Sequence, residues 1–272
     1  HVVTGASSLM DKLVAAVENA GVTLEALVLE PLASSEAVLT QQEKNQGVIL
    51  VDIGGGTTDV VVFSRGRICY TAVIPVGGYQ FTNDICVTYN TLYPDAEAAK
   101  LKYAHVELSS VPSDEEVSLP VVGRTTELKV PRRDICQLTR ERAQELIRLI
   151  NLKLGEANIG DTSKAGLVLT GGSANLPGLP ELMQQKLRNR VRIGVPDGNG
   201  DIPNELKAPA FATGVGILLW ATAQREEAAV QAKNGSGPRI AAVRDRVVSR
   251  FFNVVRVLWP RDLFSAKQGR TQ

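Results

Sequence analysis

The stretch Val48–Phe63, VILVDIGGGTTDVVVF, sets three consecutive glycines, two threonines and two aspartates between apolar runs. A hairpin needs positive φ at only one or two residues, and Asn-Gly would supply it. Three glycines strip every Cβ from one edge, so a ligand can approach the main chain and successive N–H groups can face an anion. Thr57 and Thr58 add hydroxyl donors. Asp52, at the end of the first run, offers a hard oxygen ligand suited to Mg²⁺ or its waters. Gly54, Gly55, Gly56, Thr57 and Thr58 therefore read as a phosphate-binding turn, bridged through metal to Asp52. Asp59 is either a ligand to metal-bound water or a bystander. The plainer alternative is a tight hairpin with a bulge. The lysine of G-x-x-x-x-G-K-[ST] is absent, and so is G-x-G-x-x-G before a helix, which excludes a P-loop and a dinucleotide fingerprint.

A second turn strengthens the reading. LVLTGGSANLPGLPEL places Gly171-Gly172-Ser173 between a strand and a helix, roughly 120 residues downstream. Glycines at a strand end again let main chain lie against a flat or charged group at the mouth of a sheet.

The elements that must position these turns follow from periodicity. Ser8–Ala20 predicts a helix that stops at Gly21, and TLEALVLEP reads as a strand ending at Pro31. Residues 32–40 read as helix. GVILVDI, TTDVVVF and RICYTAVIPV form an antiparallel meander. A helix starts near Thr82, and another covers 95–104. Residues 115–131 show strand-like patches, and 132–157 form a long helix. AGLVLTGG is a strand, LPELMQQKL a helix, RVRIGVP a strand and APAFATGVGILLWATA an apolar helix. Residues 225–238 are polar, end in Asn-Gly-Ser-Gly-Pro and read as a flexible linker.

Composition narrows the classes. The 272-residue chain is 44% hydrophobic and carries a net charge of +1, which argues for a buried core and against nucleic-acid binding. Three cysteines without C-x-x-C spacing, and only two histidines, speak against a disulfide framework or a zinc site. Cys69 and Cys86 read as small buried apolar residues. The start at His1 reads as a piece of a longer chain.

PLASSEAVLT, VDIGGGTTDVVVF, TAVIPVGGYQFTNDI, EAAKLKYA and LTGGSANLPGLPEL occur in the order found in the FtsA family, and residues 1–224 resemble it. That family lies within the actin and heat-shock-chaperone ATPase superfamily. The resemblance implies an α/β actin-like (ribonuclease H-like) ATPase domain, a mixed sheet with flanking helices, built from residues 1–78 and 165–224. It implies an inserted α+β subdomain at 79–164, where the FtsZ C-terminal tail would dock, with Arg132, Arg133 and Arg140 as basic candidates. It places Gly77 and Gly78 beside ribose and phosphates. Glu97 and Lys100, at i and i+3 on one helix face, would contact ribose and adenine. Gly171, Gly172 and Ser173 would flank the adenosine, and Asp52 would associate with Mg²⁺. Glu30, in an LEP like that of MreB-type actins, would orient the attacking water, or else be a solvated charge at a strand end. The family's first half, with the other phosphate loop, has no counterpart here, so ATP binding with weak or no hydrolysis is expected.

The tail completes the expectation. Residues 239–272 hold eight Lys/Arg and two Asp. Ile240, Val243, Val247, Phe251, Val254 and Leu258 form one apolar stripe at helical spacing, ended by Trp259, with Arg244, Arg246, Arg250 and Arg256 to its sides. Such charge density cannot span a bilayer. It suits an amphipathic helix in the membrane plane, with Val247, Arg250, Phe251, Val254, Leu258 and Trp259 meeting anionic lipid. The resemblance thus points to a cell-division adaptor at the cytoplasmic side of the membrane. It would bind ATP, assemble into actin-like filaments, anchor the FtsZ ring and recruit later division proteins. The alternatives are a cytoskeletal ATPase of MreB or plasmid-segregation type and a PilM-like pilus adaptor.

Overall fold

The computed structural model describes residues 6–157, 165–197 and 202–234. In chain order these hold α1 (Ser7–Asn19), α2 (Glu30–Val38), α3 (Gln41–Gln46), β1 (Val48–Ile53), β2 (Thr58–Ser64), β3 (Arg67–Ile74), α4 (Gly78–Tyr89), α5 (Tyr93–Tyr103), β4 (Glu116–Leu119), β5 (Leu128–Pro131), α6 (Arg132–Glu156), β6 (Leu167–Thr170), α7 (Leu179–Leu187), β7 (Val191–Ile193) and α8 (Ala212–Asn234). Five strands make one sheet in the order β3-β2-β1-β6-β7. The meander β1-β2-β3 is antiparallel, while β6 joins β1 and β7 joins β6 in parallel. The sheet is therefore mixed. β1 is buried along its whole length, as its unbroken apolar run requires of a central strand. β3 is exposed or part-buried up to its buried last residue, Ile74, as suits an edge strand.

Helices cover both faces. Ile49, Val51, Ile53, Val60, Val62, Leu167 and Leu169 pack against Leu146 and Ile150 of α6 and Leu182 and Met183 of α7. Val48, Leu50, Val61, Phe63 and Val168 face Ala37 and Val38 of α2 and Val215 of α8. A third core, around Ile85, Ala99, Leu119, Val130 and Ile135, joins α4, α5 and the β4–β5 hairpin to the first turn of α6. Arg142 of α6 grips Asp84 of α4 with two nitrogens at 2.7 Å each, which fixes the helix that starts beside the glycine turn.

Four local readings change. Residues 23–29 form no strand, and Pro31 stands in the first turn of α2, where its missing N–H costs nothing. α3 was not expected, although Thr40 and Glu43 form a complete capping box, a signal present in the sequence. α4 begins at Gly78 rather than Thr82, because the Gln80 side chain accepts from Gly77 N at 2.8 Å and caps the helix early. α8 runs on through residues 225–234. That covers most of the expected linker, since REEAAVQAK is rich in strong helix formers. The expected anchor at 239–272, with Val247, Arg250, Phe251, Val254, Leu258 and Trp259, lies outside the described residues, as does the end of the linker. Among the described residues no helix is long and apolar enough to cross a membrane.

Candidate functional site

The β1–β2 turn closes with Gly54 N donating to Thr57 O at 2.9 Å. None of Gly54, Gly55 and Gly56 takes a left-handed conformation. The three glycines thus serve by lacking side chains, not by adopting positive φ. On one side the turn is pressed against the start of α4. Gly78 N donates to Gly54 O at 2.9 Å and Tyr79 N to Gly55 O at 2.6 Å. A Cβ on Gly77 would stand 2.8 Å from Gly54 O and from Gly55 backbone atoms. On the other side the turn is bare: a Cβ on Gly55 or Gly56 would meet nothing within 4 Å.

The second glycine turn closes on the first. Ser173 Oγ donates to Gly54 O at 3.2 Å across 119 residues of sequence. Gly171 sits at φ 86°, its Cα against the Asp52 carboxyl and the Ile53 carbonyl, where only glycine fits. Gly78 lies between Ser173 and Lys100: a Cβ there would be 2.8 Å from Ser173 Oγ and 3.7 Å from Lys100 Nζ. Lys100 Nζ is held by Gly78 O at 3.2 Å, Thr82 Oγ1 at 2.9 Å and Glu97 at 2.8 Å. Thr82 in turn donates to Glu97. Glu97 and Lys100 therefore reach the first turn of α4 together, beside both glycine turns. Thr58 does not serve as a side-chain donor. It is fully buried and its hydroxyl donates to Val76 O at 2.7 Å, so Thr57, part-exposed, is the hydroxyl at the turn.

Strand alternation decides which carboxylates arrive. Asp52 and Asp59 are paired across β1 and β2 on the face covered by α2 and α8. Asp52 is 3% exposed, and Ser34 Oγ and Thr213 Oγ1 both donate to its Oδ2, the latter at 3.3 Å. Burial raises its pKa above the usual carboxylate range, while these two hydroxyls pull it down. Asp59, which accepts from Thr57 Oγ1 at 3.3 Å, is pushed up to about 6 by burial and by the charges of Glu30 and Asp52. Glu30 opens α2 instead of ending a strand. Burial and Asp52 raise its pKa, and a hydrogen bond from Thr213 opposes them. No basic side chain offsets these three among the described residues. The cluster is hard, anionic and short of positive charge, which suits a divalent cation. Among the described residues no three His, Cys, Asp or Glu side chains converge tightly enough to hold a metal alone. A cation at Asp52 would complete its shell with water and phosphate oxygens, and the bare turn adjoins that space.

Ser34 and Thr213 were not anticipated. Ser34 stands at i+4 from Glu30 on α2, so helix spacing puts the two on one face, but its bond to Asp52 on β1 depends on where α2 packs. Thr213 had no signal, because its role depends on where α8 crosses the strand ends. The basic residues considered for a partner are engaged internally. Arg132 binds Glu115 and Tyr103 O, Arg133 binds Val111 O, and Arg140 binds Val106 O at 2.6 Å.

The family model described as "Cell division protein FtsA" matches residues 49–216. The chain is 35% identical over 236 residues to the cell division protein FtsA of Pseudomonas aeruginosa, covering 87% of this chain and 57% of that protein. It thus spans little more than half the length of that relative. Its fold is similar to that of MreB5 of Spiroplasma citri bound to ADP, with a TM-score of 0.65 at 19% identity over 82% of this chain and 68% of that one. It is also similar to a chain of the PilM–PilN type IV pilus biogenesis complex, with a TM-score of 0.61 at 20% identity over 79% of this chain and 58% of that one. The mixed sheet with flanking helices is an actin-like fold.

Two outcomes follow from this geometry. Gly77→Ala should cost about 1–3 kcal/mol in denaturant unfolding, because its Cβ meets main chain that cannot yield. Gly55→Ala should stay within about 0.5 kcal/mol of the parent chain. The acidic cluster sets a pH dependence. Asp59 holds its proton more tightly folded than unfolded, so the folded state binds more protons between about pH 4 and 6, and stability falls as pH rises through that window. Thermal unfolding of Asp59→Asn should lose that share of the slope and melt above the parent at pH 7; an unchanged slope would contradict the assignment.

Proposed function

The chain belongs to the FtsA family of cell division proteins, and from that premise we propose that it is the nucleotide-holding part of an actin-like adaptor linking FtsZ to the cytoplasmic membrane at the division site. The carrying observation is the bare edge at Gly55 and Gly56, facing open space beside a buried, hydroxyl-held Asp52. The backbone of Gly54–Thr57 and the Thr57 hydroxyl would meet the β- and γ-phosphates. Gly77 and Gly78 would border ribose and phosphate, and Gly171–Ser173 would flank the adenosine. Glu97 and Lys100, already aligned, would meet the ribose and base. Asp52 would hold Mg²⁺ through water, with Asp59 and Glu30 adding negative charge around it. Bound Mg²⁺ would supply the positive charge that this cluster lacks and neutralise the phosphates. Glu30 would orient water. ADP in the structurally similar MreB5 supports an adenine nucleotide as occupant.

Residues 79–164 are proposed as the partner-facing insertion and 239–272 as the membrane-facing tail. With Arg132, Arg133 and Arg140 bound within the insertion, an acidic FtsZ tail would compete for them or use other groups. Nucleotide would act by ordering the cleft and favouring filaments, with little turnover. Likeness to MreB5 and PilM is one of fold and adds no rival reading.

Calorimetric titration with ADP in Mg²⁺ tests the nucleotide half. The parent chain should bind and Gly55→Ala should bind roughly tenfold or more weakly at unchanged stability. Equal affinity would mean that the bare edge is not a ligand's. Sedimentation with anionic vesicles tests the tether. The full chain should pellet, less so at high salt, and a version ending at Gly237 should not. If neither pellets, the anchor reading fails.

A further inference from the structure

Thr82, on α4, is a polar residue with no exposed surface. A helical threonine usually turns its hydroxyl back to the carbonyl four residues earlier. Gly78 O does lie 3.2 Å from Thr82 Oγ1. The hydroxyl has a stronger claimant on the neighbouring helix, and it donates to Oε2 of Glu97 on α5. A charged acceptor wins over a neutral carbonyl. The hydroxyl's lone pairs then face Lys100, whose Nζ donates to Thr82 Oγ1 at 2.9 Å. Lys100 Nζ also stands 2.8 Å from the same Glu97 oxygen. Ammonium, hydroxyl and carboxylate close into a triangle that ties α5 to the first turn of α4.

Counting protons shows which atom of the triangle has capacity to spare. The ammonium carries three. Three acceptors surround it: Gly78 O, Thr82 Oγ1 and Glu97 Oε2. The single proton of Thr82 is committed to Glu97. Glu97 accepts both of its bonds on Oε2, and among the described residues Oε1 takes part in none. The Glu97 side chain is 31% exposed and that of Lys100 only 13%. The free atom is therefore an acceptor, and it suits a ligand that offers hydroxyl donors, as a sugar does. A glutamate left to rotate would meet such a ligand in many poses, and holding it in one spares that cost.

We propose, resting on the reading of Glu97 as the ribose contact, that Thr82 is a positioning residue for sugar recognition. Its hydroxyl locks the Glu97 carboxylate with Oε1 turned outward. Lys100 acts on the sugar through Glu97, because its own protons are spent inside the triangle. The phosphate end of the site, at Gly54–Thr57, does not depend on Thr82.

Calorimetry on the full chain in Mg²⁺, with ADP, dideoxy-ADP (both sugar hydroxyls removed) and pyrophosphate, tests this. The parent should prefer ADP to dideoxy-ADP. In Thr82→Val the ADP affinity should fall roughly tenfold or more, the preference should vanish, and pyrophosphate should bind as before. Thr82→Ser should restore the preference. If Thr82→Val does not fold, Thr82→Ala takes its place. ADP and pyrophosphate weakening together, ADP binding unchanged, or a parent indifferent to the sugar hydroxyls would each overturn the proposal. A second readout needs no ligand. The Lys100 ammonium signal in ¹H–¹⁵N spectra, assigned by its loss in Lys100→Gln, should be protected from exchange in the parent and in Thr82→Ser, and lost in Thr82→Val. Equal protection without the hydroxyl would overturn the positioning role. A parent that binds neither ADP nor pyrophosphate would sink the nucleotide reading, and the ammonium signal would then decide the role of Thr82 by itself.

Discussion

The Gly54 carbonyl accepts from two segments remote in the chain, the Gly78 amide at 2.9 Å and the Ser173 hydroxyl at 3.2 Å. That convergence leaves no room for a Cβ at Gly77, against the Gly54 and Gly55 main chain, or at Gly171, against Asp52 and the Ile53 carbonyl. Both strand-end turns and the start of α4 are therefore held as one rigid rim. The outer edge of the first turn, at Gly55 and Gly56, can stay bare because the inner edge carries the packing. A side chain at Gly77 would spread the rim, and it would also shift the helix that Arg142 grips from below through Asp84.

Beneath the rim the chain keeps three carboxylates near one another with no basic partner among the described residues. Burial raises all three pKa values, and the neighbouring carboxylates add to the rise at Glu30 and Asp59. An apolar or paired arrangement would be more stable, so the cluster is a local expense typical of a functional site. Two hydroxyls soften it without cancelling the charge, which leaves the site receptive to a cation. The rim and the cluster occupy the same strand ends, so phosphate and metal would be met together.

Much of this was legible in the sequence because it is local. An unbroken apolar run predicts a central strand, and both glycine turns stand out at their strand ends. Glu97 and Lys100 share a face by helical spacing alone. What was missed depends on long-range placement. That the first glycine turn is pressed against Gly77 on one side and bare on the other depends on the position of α4, which the sequence does not reveal. Thr58 resembles Thr57 in sequence, but pairing with its neighbouring strands turns it inward to Val76. Thr213 acquires its partners only where α8 crosses α2. The strand expected over TLEALVLEP is absent because Pro31 marks a helix start, which outweighs the β-branched and leucine-rich composition before it.

The central claim is that the bare edge of the first glycine turn is where phosphate binds. Amide chemical-shift mapping on addition of Mg²⁺ and ADP to the full chain tests it most directly. The account predicts the largest changes at Gly55, Gly56 and Thr57, smaller ones at Gly77, Gly78 and Ser173, and none along the buried run Val48–Val51. Changes concentrated elsewhere, or none at ligand saturation, would contradict it.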